Sequence, residues 1–283
     1  MERLLACADK ASIALDWRAD AFAVLAPGTA LPCIAPVALR GAGIAPSTTS
    51  QAAAWVCLAT PVHYQAELSN VRFAGDGILS LESAEAATLA LDFNALWSGA
   101  GVHLWAASNR LFCGFDAPLQ VMTQDPELAR GRHLETFLPA GPDAARLRRL
   151  MSELEMWLFD HAVNHDRRNH SHLAISGLWL WGGGAPLATL PVVHGGAAGE
   201  DVLFDAFPVG SNRVADVMVV EAVPGGEAWG DIESVWLEPA LADLRRGRLT
   251  RLELSAGNRL FTLSARWRRR FWRRTKSWWE YFE

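Results

Sequence analysis

The chain has 283 residues, 51% of them hydrophobic and 20% charged, with a formal net charge of −5. That length and composition suit one large globular domain or two smaller ones, and they exclude a disordered chain, a collagen-like repeat and a disulfide-stapled miniprotein. Of the 26 basic residues only Lys10 and Lys276 are lysines, and neither follows a Gly-rich loop. Schiff-base and P-loop chemistry therefore have no suitable lysine. Cys7, Cys33, Cys57 and Cys113 form no CxxC pair and sit among apolar residues, which reads as small buried hydrophobes in a reducing compartment. No run reaches about 18 apolar residues, and Asp9, Lys10 and Asp16 interrupt the N-terminus before any signal-type core. The expectation is a cytoplasmic protein.

In chain order, residues 1–48 are rich in Ala, Pro and Gly, with short apolar runs broken by Pro27, Pro32 and Pro36; the reading is a helix followed by loop. Ala52 to Thr60 is an unbroken apolar stretch, as expected of a buried strand, and Gly75-Asp76-Gly77 reads as a turn. Ser83 to Trp97 has helical spacing and ends at a Gly-rich segment. Val102 to Ala106 and Arg110 to Gly114 flank the turn Ser108-Asn109 as a hairpin. Asp143 to Phe159 is the strongest helix, with the apolar stripe Leu147, Leu150, Met151, Leu154 and Leu158. Leu173 to Trp181 is strand-like and runs into the turn Gly182-Gly183-Gly184; Ala215 to Val220 is a further strand, and Leu249 to Leu254 with Leu260 to Ser264 form a terminal hairpin. This alternation predicts an α/β fold with a mixed sheet flanked by helices. It divides the chain into an Ala/Pro-rich segment over 1–48, an α/β domain over 49–265 and a basic tail over 266–283.

The tail departs from the rest. Residues 266–276 hold seven basic side chains interleaved with Trp and Phe, while the chain outside 266–283 carries 19 basic against 29 acidic side chains, net −10. Arginines with tryptophans suit an anionic membrane surface or a protein partner, or a terminal helix clamped on the chain's own acidic body. The overall acidity argues against a dedicated nucleic-acid binder.

Four of the eight histidines fall in twelve residues: His161, His165, His170 and His172. On a continuing helix His161 and His165 share a face and could reach one divalent metal, with Asp160 or Asp166 as oxygen ligands. The same segment also groups His161, Asn164 and Arg167, and the Gly182–Gly184 turn would bring backbone N–H groups close to them. Those are donors suited to a phosphate or carboxylate.

The block Glu153 to Gly184 resembles one in the bacterial RpfE-type regulatory proteins, which are phosphoglycerate-mutase-like. The matching residues are Glu153-Leu154-Glu155-Met156-Trp157-Leu158, then His161-Ala162-Val163-Asn164-His165-Asp166-Arg167 (an H-x-V-N-x-x-R pattern), then Ser176-Gly177-Leu178-Trp179-Leu180-Trp181-Gly182-Gly183-Gly184. Thr60-Pro61-Val62-His63-Tyr64 looks like an upstream motif of the same family. More distantly the block is similar to archaeal-type cofactor-independent phosphoglycerate mutases, which have an alkaline-phosphatase-like fold. The resemblance implies a fold related to part of such a phosphomutase, with His161, Asn164, Arg167, Gly182, Gly183 and Gly184 facing a small anionic ligand. Ala162 stands where the family has Pro and Trp181 where it has Arg. Nothing matches the Asp/His metal clusters or the Ser nucleophile on which the mutase reaction depends. The expected function is a non-catalytic regulatory protein that binds a small phosphorylated or carboxylated metabolite. The alternatives are a metal-dependent phosphomutase-like enzyme using the His161–His172 cluster, and an interaction protein acting through residues 266–283.

Overall fold

The computed structural model describes residues 2–12, 17–44, 52–66, 71–199, 201–208, 217–219, 232–256, 259–264, 274–277 and 280. Most of the basic tail lies outside the described residues. The elements in chain order are α1 (Glu2–Cys7), β1 (Asp9–Ser12), α2 (Trp17–Leu25), α3 (Ile34–Gly41), β2 (Trp55–Ala66), β3 (Val71–Ile78), α4 (Ser83–Leu96), β4 (Val102–Ala107), β5 (Arg110–Phe115), α5 (Ala144–Phe159), α6 (Ala162–Asn169), β6 (Gly177–Gly184), β7 (Ala197–Gly199), β8 (Val217–Val219), α7 (Glu238–Arg246), β9 (Arg251–Ala256) and β10 (Arg259–Ser264). A π-type segment, Ile232–Leu237, leads into α7, and short 3-10 turns lie at Pro126–Ala129, Leu134–Phe137 and Phe204–Ala206. Among the described residues no helix is long and apolar enough to cross a membrane. The fold is mixed α/β, with antiparallel sheets flanked by helices.

Two compact units divide the chain: residues 1–31, 193–200 and 209–283 form one, and residues 32–192 and 201–208 the other. In the first, β1, β10 and β9 make an antiparallel sheet with Lys10 opposite Phe261 and Phe261 opposite Leu254. Its core gathers Leu5, Cys7, Leu237, Leu244, Phe261 and Leu263. Phe261 and Leu263 alternate with less buried neighbours along β10, the period-2 pattern of a sheet with one covered face. β7 and β8 add a short parallel pair.

The second unit is built around β2. It pairs antiparallel with β6 along Val56–Val62 on one edge, and with β5 along Trp55–Leu58 and then β3 along Val62–Ala66 on the other. β4 extends the sheet beyond β5. β2 is apolar and buried along Trp55–Val62, so this stretch carries no alternation, while His63–Ala66 are progressively exposed. The stripe on α5 is buried as its spacing predicts: Leu147, Leu150, Met151, Leu154 and Leu158 all join the core, each contributing roughly 1.5–3 kcal/mol. α4 docks through Asn94, whose amide donates to the Leu104 carbonyl at 2.8 Å and accepts from the Leu104 N–H at 2.9 Å, fixing the helix against β4.

Two glycine segments that read as turns are strand instead. Gly75-Asp76-Gly77 lies within β3, opposite a register shift between Val62 and Tyr64. A Cβ at Gly77 would sit 2.6 Å from the His63 carbonyl oxygen, so close backbone approach selects glycine there. Gly182-Gly183-Gly184 continues β6 to its end. Added Cβ atoms at Gly183 and Gly184 would lie 2.0 Å from the Trp55 ring and 2.7 Å from the Cys33 sulfur. Gly183 and Gly184 let neighbouring residues cross the strand at backbone distance, while Gly182 takes a left-handed φ of 67° beside the register shift between Val56 and Leu58. The cysteines split as well: Cys7, Cys57 and Cys113 are buried thiols, but Cys33, just before α3, is exposed. Cys57 faces Cys113 across the β2–β5 ladder, and burial, reinforced by that neighbour, raises its thiol pKa well above the ordinary value.

Candidate functional site

The H-x-V-N-x-x-R block begins where α5 stops. The helix ends at Phe159, and His161 adopts an extended conformation that starts α6 as its N-cap. This break overturns the continuous helix on which a shared His161/His165 face depends. The His161 Nδ1 accepts the Val163 N–H at 3.2 Å, so it carries no proton, and the Nε2–H points to Asp92 Oδ2 at 3.2 Å. The Trp157 ring packs edge-on against the imidazole. His165 turns elsewhere: its Nε2 donates to Asp160 at 2.9 Å and its Nδ1 accepts from Arg168 at 2.9 Å. Among the described residues no three His, Cys, Asp or Glu side chains come together as a metal-holding group.

Asn164, 1% exposed, uses three hydrogen bonds. Its amide donates to the Leu158 carbonyl at 2.7 Å and the Ile175 carbonyl at 2.8 Å, and its oxygen accepts the Ile175 N–H at 2.7 Å. It ties the end of α5 to the segment that enters β6. Arg167 is equally occupied. Its Nε donates to the Leu173 carbonyl at 2.8 Å, and one terminal nitrogen lies 2.9 Å from both carboxylate oxygens of Glu85 and 3.3 Å from the Ser80 carbonyl. Glu85 also accepts the Glu82 N–H at 2.7 Å, closing the capping box at the start of α4. The sequence places an anion on Arg167; the structure places Glu85 there. His161, Asn164 and Arg167 are thus three buried side chains that join α4, α5 and α6 to the segment entering β6. Gly182, Gly183 and Gly184 lie at the far end of β6, where the Gly182 N–H donates to Thr123 Oγ1 at 3.1 Å.

A second polar group sits at the start of β6. His63 Nδ1 lies 2.8 Å from the Ala174 carbonyl and 3.3 Å from Ser176 Oγ. A carbonyl only accepts, so Nδ1 carries the proton and cannot serve Ser176 as a base. Beside it a Cβ at Gly177 would lie 3.2 Å from Glu155 Cγ and 3.3 Å from the Tyr64 ring, which shows how closely the three residues pack. Partial desolvation raises the carboxyl of Glu155, whose side chain remains exposed, above its ordinary range, and burial plus the Glu155 charge raises the Tyr64 phenol. A raised carboxyl means the fold favours the neutral acid. That stability is present at low pH and lost as pH rises through the folded-state value. Glu155→Gln is therefore expected to unfold at higher urea than the parent at neutral pH, with the difference closing near pH 4; urea titrations across that range measure it.

An open concavity of this unit lies elsewhere among the described residues. A cleft of about 420 Å³ is bounded by the C-terminal end of α3, the β4–β5 turn and the Phe204–Ala206 segment. Its polar rim is Ser108, Asn109, Arg110 and Asp205, and its walls are small side chains such as Ala38 and Ala107, with Phe112. Ser108 holds a positive φ of 54°, as the tight hairpin requires. Arg110 and Asp205 form an ion pair, both side chains about one-third exposed at 36% and 37%. The volume falls within the range of small-molecule sites. The hairpin was legible in the sequence, but the cleft was not, since Asp205 joins it from 95 residues further along the chain than Arg110.

Fold and site together define a mixed α/β protein with an internally latched polar block and a separate small-molecule-sized cleft. No protein-family model matches the chain, and no curated protein matches it. Among solved structures it is similar to the cofactor-independent phosphoglycerate mutase from Thermoplasma acidophilum DSM 1728, with 14% sequence identity and a TM-score of 0.38, over 93% of this chain and 81% of that one.

Proposed function

We propose that this chain is a non-catalytic binding protein for a small anionic metabolite, phosphorylated or carboxylated, acting in the regulatory manner of the RpfE-type proteins its central block resembles. The observation that supports this reading is the division of labour between two arginines. Arg167 is buried and neutralised by Glu85, so it holds the fold. Arg110 stands at the rim of a cleft with one exposed carboxylate beside it, so a ligand can reach its guanidinium. In this reading the H-x-V-N-x-x-R block is a latch, and the ligand's anionic group meets Arg110 with Ser108 and Asn109 as further donors.

Calorimetric titration of the untagged chain with 3-phosphoglycerate tests the proposal. Saturable binding is expected. Arg110→Ala should weaken it by roughly 10- to 100-fold, the worth of about 1.5–3 kcal/mol for hydrogen bonds to a charged group, and Ala42→Phe should block it by filling the cleft. The double variant Arg167→Met/Glu85→Leu, which leaves the cleft intact, should bind as the parent does. Absence of heat at millimolar ligand, or loss of binding in the double variant with Arg110 present, overturns the reading.

A further inference from the structure

We propose that the C-terminal turn of α6 is a capture site for a divalent cation of the copper–zinc–nickel type, held by His170 and His172. This is not the His161/His165 pair, whose ring nitrogens are engaged with Val163 and Asp92, and with Asp160 and Arg168. It rests on three features of the turn that follows α6.

The first is backbone rigidity. Ser171 takes the left-handed conformation, with φ of 59°. Its N–H donates to the Arg168 carbonyl at 3.1 Å, while the His172 N–H reaches back to the Arg167 carbonyl at 2.8 Å. These are the two bonds of a Schellman motif, with His170 as the C-cap and His172 two residues beyond it. The motif fixes the two histidine backbones relative to each other. Glycine is the usual residue at the left-handed position, so a serine there marks a turn that the surrounding bonds hold in place.

The second is the tautomer. His170 Nδ1 lies 2.8 Å from the Asp166 carbonyl oxygen. That oxygen only accepts, so Nδ1 carries the proton and Nε2 keeps its lone pair. A ring N–H anchored on a backbone carbonyl is the arrangement that orients metal-ligating histidines and increases their basicity.

The third is spacing and access. The two rings lie 6.4 Å apart between centroids, inclined at 39°. An imidazole nitrogen binds zinc at about 2.0–2.1 Å, so the centroids must close by only about 1 Å for one ion to bridge both nitrogens at a tetrahedral angle. Both side chains are exposed, so the His172 ring can turn toward the anchored His170 ring and water can fill the remaining positions. The site also lies at the negative end of the α6 dipole, which favours a cation.

The experiment is equilibrium dialysis of the untagged full chain against Cu2+ and, separately, Zn2+, with electron paramagnetic resonance on the copper-loaded sample. One Cu2+ per chain with hyperfine coupling to two imidazole nitrogens is expected, with Cu2+ bound more tightly than Zn2+. His170→Ala and His172→Ala should each weaken Cu2+ by roughly 10- to 100-fold or more, with thermal unfolding unchanged, and His165→Ala should leave the affinity as it was. Affinity that survives both His170→Ala and His172→Ala, or that falls only in His165→Ala, overturns the assignment.

Discussion

Arg167→Ala is expected to lower the unfolding free energy by about 3–5 kcal/mol, the usual cost of removing one partner from a buried ion pair. Arg167 is 7% exposed at its side chain and Glu85 19%. Truncation leaves the Glu85 carboxylate facing a largely closed space, and strands the Leu173 and Ser80 carbonyls that the guanidinium served. Arg167→Met/Glu85→Leu should recover at least half of the loss, because the desolvation of both charges disappears along with their attraction. It will not recover all of it, since Glu85 also closes the α4 capping box. A double-mutant cycle read by urea unfolding, with the m-value constant, should give a coupling of about 2–3 kcal/mol. An Arg167 that faced a ligand would behave differently: alanine would cost little in the ligand-free protein. A loss below about 1 kcal/mol would remove the latch and return Arg167 to the ligand.

Asn164→Leu is expected to cost about 4 kcal/mol, because it strands one N–H and two carbonyls in the interior at about 1–3 kcal/mol each. The three bonds are short, between 2.7 and 2.8 Å, and cross from the end of α5 to Ile175. Asn164→Asp separates this from a simple packing defect. The carboxylate keeps the bond from the Ile175 N–H but aims an oxygen at two carbonyl oxygens, so the fold favours its neutral form. The aspartate variant should therefore lose most at pH 7 and regain part of its stability as pH falls toward about 4, whereas the leucine variant should show no such recovery. Equal losses for the two variants at both pH values would mean that packing, not hydrogen bonding, dominates at this position.

The His161-to-Arg167 segment shows why the sequence pointed to a pocket and the fold made a latch. His, Asn and Arg within seven residues are good anion donors, and the sequence carries no sign of what they donate to. The answer for Arg167 lies 82 positions away in Glu85, on a different helix. For Asn164 it is backbone atoms of Leu158 and Ile175, which a residue of any type could present. The glycine run of β6 poses the same problem in reverse. Gly-Gly-Gly commonly marks a turn, because the missing Cβ frees the backbone; here that freedom serves only Gly182, at φ 67° within the strand, while at Gly183 and Gly184 the missing Cβ makes room for Trp55 and Cys33. A turn and a close crossing impose the same residue, and only the neighbours tell them apart.

The sequence by itself determined what rests on local periodicity and turn chemistry. It specified the buried stripe of α5, the α4 helix, the hairpin at Ser108-Asn109, the apolar β2 and the mixed α/β class, because burial on one face writes a repeat of 3.6 or 2 and a two-sided strand writes an unbroken run. The tertiary structure alone decided the partners. It set His161 as a helix cap, Glu85 as the counter-ion of Arg167, and Arg110 with Asp205 at the cleft. Those pairings join residues far apart in the chain, and a polar side chain's role is set by what burial brings within about 3 Å of it, which no local pattern records.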